Sequence, residues 1–182
     1  MILPVGGVDE EVLSVLRTTI SKTFPNARSV IARESVPIPE EFYSYSRKQY
    51  ESTKIIMKLH EKFKMASTDR VLGVISVDLF VPRLNFVFGE AQCPGKIALI
   101  SLYRLRPEFY GDAPNRSLFF ERAEKEAVHE LGHTLGLRHC EDSRCVMFFS
   151  NSIVDTDAKG STFCGKCAQR LKSNLRWLGL DG

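Results

Sequence analysis

An α/β (α+β) domain with a mixed twisted sheet is the fold class this sequence predicts, on three observations. β-Branched apolar runs alternate with apolar residues at helical spacing through the first hundred positions. The chain has 182 residues, 43% of them hydrophobic and 26% charged, an ordinary globular composition. Beyond Leu135 the regular pattern stops, and histidines and cysteines gather. A chain this long buries about 70% of its extended surface, so one core forms without a disulfide framework. We expect a single domain over 1–182, with subdomains of about 1–136 and about 137–182.

Ile2–Val5 reads as a short apolar strand, which Gly6-Gly7 turns into a helix. Asp9 can cap that helix by accepting from free backbone amides. Val12, Leu13, Leu16, Ile20 and Phe24 form its apolar face, and Pro25-Asn26 ends it. Ser29–Ala32 reads as a second strand, and Pro37 and Pro39 mark a loop. A second helix is expected over about Ser46–Met65, with Ile56, Leu59 and Phe63 on one face. Val71–Val77 and Ile97–Tyr103 read as central strands. Leu84–Phe88, bounded by Pro82 and Gly89, reads as a sheet edge. A third helix begins near Asn115 or Ser117 and runs to about Leu135, with Ala123, Ala127, Val128 and Leu131 facing inward. The chain is then loop-like to Phe163, and a last helix covers about Cys164–Trp177.

Several function classes are disfavoured at once. Net charge is +3 and the basic residues are scattered among acids, so no nucleic-acid partner is expected. No apolar run approaches the roughly 20 residues of a membrane helix, so no membrane partner is expected either. The N-terminus carries no basic segment, long apolar stretch or cleavage site, which predicts a cytoplasmic protein. We expect a monomer.

His129-Glu130-Leu131-Gly132-His133 sets two imidazoles four residues apart on one helix. Their Cβ atoms are then about 5–6 Å apart on one face. Both rings can reach one ion at a zinc–nitrogen distance of about 2.0–2.1 Å. Glu130, on a neighbouring line of the helix, can bond a metal-bound water without joining the coordination sphere. On a continued helix His139 would point away from this site. Gly136 permits the positive φ of a sharp turn, which can bring His139 back as third ligand. A fourth position stays open for water, the mark of a catalytic zinc site. His60, without metal-binding neighbours, reads as an ordinary helix residue.

Cys140 and Cys145, with Cys164 and Cys167, form two thiolate hairpins at the spacing of a closed four-sulfur zinc site. A pair of disulfides is the alternative, disfavoured by the missing export signal. Because Cys140 directly follows His139, a zinc at the cysteines would also steady the third histidine, stapling the C-terminal helical part to it. Cys93 has no partner in sequence and reads as a free thiol in a turn.

The string His129-Glu-x-x-His133-x-x-Gly136-x-x-His139 is the signature of the metzincin metalloproteases. Followed by Cys140, Cys145, Met147 and Cys164-Gly-Lys-Cys167, it resembles the archaemetzincins, and the length matches their compact archaeal form. The resemblance implies a zinc-dependent peptidase of metzincin-like fold with two zinc ions per chain, one catalytic and one structural. It implies that Met147 lies on a turn beneath the three histidines. It also implies that an extended peptide or protein substrate adds to the edge strand near Leu84–Phe88. Several metzincins carry a tyrosine soon after that methionine, but here Phe148 and Phe149 follow. The expected reaction is peptide-bond hydrolysis with Glu130 as general base. The alternative is a zinc-stabilised peptide-binding or scaffold module with little hydrolytic activity.

Overall fold

The computed structural model describes residues 1–24 and 26–180. Pro25, expected to help end the first helix, and Asp181 and Gly182 lie outside the described residues. The elements run β1 (Ile2–Val5), α1 (Glu10–Thr23), β2 (Tyr43–Ser44), β3 (Gln49–Glu51), α2 (Ser52–Phe63), β4 (Val71–Ile75), β5 (Leu79–Phe80), β6 (Gly89–Ala91) and β7 (Ile97–Ser101). Three more helices follow, α3 (Arg116–Thr134), α4 (Ile153–Ala158) and α5 (Gly165–Trp177). Asp9 caps α1 as its position predicts, its carboxylate accepting from the Glu11 amide over 2.9 Å.

The main sheet has the order β1-β4-β7-β6, with β1, β4 and β7 parallel and β6 antiparallel on the edge. The parallel strands are buried along their length, as a sheet covered on both faces requires. Alternate residues feed two cores. Leu72, Val74, Ala98 and Ile100 pack with α1, α3 and the C-terminal helix α5. Val71, Ile75, Ile97 and Leu99 pack with Ile55, Ile56 and Leu59 of α2. β2, β3 and β5 form a smaller sheet beside α2.

Four expectations are corrected. The second helix starts at Ser52, because Tyr43–Ser44 and Gln49–Glu51 pair as a hairpin through Lys48, which takes a positive φ of 56°. Tyr50 then bonds Asp78, a non-local contact that outweighs local helix preference. Ser29–Ala32 runs beside β1 but forms only an isolated bridge at Ile31. Leu84–Phe88 forms only an isolated bridge from Val87 to Leu79, with the Arg47 guanidinium holding the Leu84 carbonyl at 2.6 Å, and the sheet edge is β6 instead. The supposed loop before Phe163 contains α4, closed at its start by a Ser152–Asp155 capping box. No helix is long and apolar enough to cross a membrane among the described residues.

Candidate metal centre and active site

α3 is buried along nearly all of its second half, so Glu130 is only 5% exposed and His129 only 4%. The helix stops in a Schellman arrangement. Gly136 has φ +81°, its amide donates to the His133 carbonyl at 2.8 Å, and the Leu137 amide donates to Gly132 at 3.0 Å. The turn returns the chain across the end of α3 and delivers His139. The three imidazole centroids are 4.7, 4.8 and 5.3 Å apart.

Backbone carbonyls fix two of the rings. His129 Nδ1 donates to the Val146 carbonyl at 2.8 Å, and His133 Nδ1 donates to Leu137 at 2.7 Å. A carbonyl only accepts, so both protons sit on Nδ1 and both Nε2 atoms present lone pairs. Those two lone-pair nitrogens face each other over 3.1 Å. Two ligands of a tetrahedral zinc at about 2.0–2.1 Å stand about 3.3 Å apart, so the donor set suits that ion. Burial, first, and the nearby Lys159 ammonium hold His129 well below the usual histidine range. Burial also lowers His133, and with the His133 charge and Lys159 it brings His139 to about 4. All three rings are therefore neutral and ready for a metal at pH 7.

Glu130 stands beside the edge strand. A Cβ on Gly89 would lie 2.6 Å from Glu130 Cγ, so only glycine lets β6 approach the carboxylate this closely. Burial, then the Glu126 charge, pushes the Glu130 carboxyl well above its usual range, while the Lys159 ammonium pulls it back. Glu130, the histidines, Cys93 and the 81–91 segment line one cleft of about 820 Å³.

The sequence did not reveal what backs this helix. Lys159, its side chain 0% exposed, meets the Glu126 carboxylate at 2.9 Å, one turn before Glu130. It makes an ion contact without a well-directed hydrogen bond. Arg122 forks onto Asp157 through two bonds of 2.7 Å, and the Lys125 ammonium donates to the Thr156 and Asp157 carbonyls at 3.1 Å. α4 is thus docked on α3 by polar contacts. The only legible signal was the position of Glu126 on the helix face of the motif.

The four cysteines converge as expected. Cys140 and Cys164 sulfurs are 3.8 Å apart, and the Cys164 amide donates to Cys145 Sγ at 3.3 Å. Two thiolates on one zinc at about 2.3 Å stand about 3.8 Å apart. A disulfide needs about 2.05 Å, and the thiols are free. The Cys167 backbone amide lowers Cys164 to about 7, whereas burial raises Cys145 and Cys167. Within each set the ligand atoms lie within 4.8 Å of one another, so two metal ions could be held.

Met147 is fully buried. A Cβ on Gly132 would stand 2.6 Å from its sulfur, which places Met147 against α3 at Gly132, within the motif. Phe149 lies 4.8 Å from the His139 ring. Cys93 stays apart from the sulfur cluster and donates to the Leu137 carbonyl at 3.4 Å. His60, also apart, accepts from Gln92 at 3.3 Å.

Comparison with known proteins decides the family. The model of "Peptidase family M54" matches residues 14–173. The chain belongs to peptidase family M54, the archaemetzincins. The archaemetzincin of Methanocaldococcus jannaschii is 48% identical over 171 residues, covering 94% of this chain and 91% of that one. The Pyrococcus abyssi archaemetzincin is 40% identical over 178 residues, covering 96% and 95%. The crystal structure of Methanopyrus kandleri archaemetzincin superposes with TM-score 0.83 at 36% identity, covering 97% and 96%. That of the Archaeoglobus fulgidus protein, complexed with malonate, gives 0.78 at 36% identity, covering 93% and 98%. As an M54 member the chain is a zinc metallopeptidase that hydrolyses peptide bonds, and the histidine and cysteine sets fit one catalytic and one structural zinc.

Proposed function

We propose that His129, His133 and His139 hold the catalytic zinc, that Glu130 is the general base, and that Cys140, Cys145, Cys164 and Cys167 hold the structural zinc. The observation carrying this reading is the pair of Nε2 lone pairs 3.1 Å apart, each ring oriented by a carbonyl behind it. Zinc held there would supply a Lewis acid for the scissile carbonyl and would lower the pKa of a water toward about 7. Glu130 takes the proton of the attacking water and passes it to the leaving amine. Gly136 makes the turn that brings in His139, and Met147 forms the floor of the histidine site. The 1–182 chain acts as one catalytic domain, with the segment up to about 136 supplying the helix and sheet and the rest supplying the third ligand and sulfur cluster.

The substrate is an extended peptide added to the free edge of β6, beside Glu130. All seven ligands come from one chain, which supports a monomer. Free thiols in the sulfur cluster support a reducing compartment such as the cytoplasm. The small net charge supports the absence of a nucleic-acid partner.

Elemental analysis of metal-loaded protein, paired with a peptide-library cleavage screen, tests this reading. Two zinc ions per chain are expected, with a mild chelator removing the histidine-site ion and the hydrolysis together. A single zinc would overturn the two-site assignment. Full metal loading with no cleaved peptide would leave a binding or scaffold role.

A further inference from the structure

Glu90 occupies the middle of β6, the edge strand that borders the cleft. Neighbouring residues on a strand face opposite sides of the sheet. Gly89 meets Glu130 on the α3 side, and Glu90 turns to the other side, toward the start of α2. Its carboxylate accepts from the Ser52 hydroxyl and, at 2.8 Å, from the Thr53 hydroxyl. Both partners are neutral. Buried Asp78 and Glu126, by contrast, meet the cations Arg104 and Lys159. Among the described residues Glu90 has no ion pair, although Arg83 and Arg138 line the same cleft. Held only by neutral hydroxyls, the carboxylate has no protein cation to neutralise it and can attract one brought against the strand. Glu90 and Glu130 also repel each other across β6.

Resting on the proposed peptide addition to β6, we propose that Glu90 is a specificity-determining residue whose carboxylate selects a lysine or arginine side chain of the bound peptide. A strand added at this edge sets one substrate residue directly opposite Glu90, with Cβ atoms about 4.5–5.5 Å apart. Opposite charges at that separation attract and like charges repel, so a cationic residue is favoured there and an acidic one rejected. Thr53, also on the cleft wall, fixes the carboxylate by its hydrogen bond. The peptide chooses its register by the charge it offers to Glu90.

Zinc-loaded enzyme and a set of N-acetylated, C-amidated peptides test this, the side chain then being the sole cation. Lysine, arginine, glutamine and glutamate are exchanged at each position around the cleaved bond. At one position kcat/KM should rank lysine or arginine above glutamine by roughly fivefold, with glutamate lowest. Glu90→Gln keeps an oxygen for Ser52 and Thr53, and should bring the lysine-to-glutamine ratio to about one. Glu90→Lys should reverse the order, an outcome that a purely structural role would not produce. An unchanged ratio in both folded variants overturns the proposal. Equilibrium binding of the same peptides to zinc-loaded Glu130→Gln protein reads the preference without turnover. Lysine-selective binding there, with no hydrolysis by the wild type, would sustain the role of Glu90 and overturn the peptidase reading. Binding without charge preference would overturn the role of Glu90.

Discussion

The Cys140 amide donates to the Met147 carbonyl over 2.9 Å, tying the sulfur cluster to the methionine that packs on α3 at Gly132. The same short segment reaches further. Val146 holds the His129 ring through its carbonyl, and Phe148 forms a bridge with Cys140. A disturbance at the cysteines therefore has a covalent and hydrogen-bonded route to two of the three imidazoles.

Cys164→Ser should reveal that route. Structural zinc contributes folding energy, so the variant should unfold more easily. At matched folded fraction, zinc titrated into the histidine site should bind about 10–100-fold more weakly. An unchanged affinity would reduce the cysteine site to a staple without influence on the histidines.

Met147→Ala should leave a cavity against Gly132. Met147 is fully buried, and truncation of such a side chain costs about 2–5 kcal/mol. Denaturant unfolding measures the loss, and Met147→Leu, which conserves volume, should cost under about 1.5 kcal/mol. Equal losses in the two variants would contradict the packing role.

Lys159→Met should be more damaging than its distance from the motif suggests. It strands the Glu126 carboxylate in a buried site, at a cost of about 3–5 kcal/mol. Adding Glu126→Gln removes the stranded charge, so the double variant should recover a good part of that stability. Thermal unfolding of the single and double variants checks the order.

Zinc affinity at the histidines should depend weakly on pH. Burial lowers all three rings, His139 to about 4, so protons compete for the ring nitrogens at lower pH than for ordinary histidines. Between about pH 7 and pH 5 affinity should therefore fall less steeply than for a site of unperturbed histidines, with the main loss at lower pH. Ordinary histidines near 6.5 would instead lose affinity steadily over that range.

The histidine set was legible because its geometry is local. An i,i+4 histidine pair and a glycine that ends the helix need no tertiary information, and Gly136 adopts the φ its position predicts. The β2–β3 hairpin was hidden because Tyr50 gains its partner from Asp78, far along the chain. Gly89-Glu90-Ala91 has weak strand preference, and pairing with β7 makes it the edge. The Ser152–Asp155 capping box was readable, but α4 is only six residues long and shows little periodicity. Nothing in the sequence joins Lys159 to Glu126, since their meeting depends on how α4 docks.

Hydrolysis by zinc-loaded Glu130→Gln protein tests the central claim most directly. The substitution keeps the shape of the side chain and leaves all seven ligands in place. Metal content should remain at two zinc ions per chain while the rate falls by about 10²–10⁴-fold, the usual contribution of general-base catalysis. A loss of less than roughly tenfold, with both ions present, would contradict the role of Glu130.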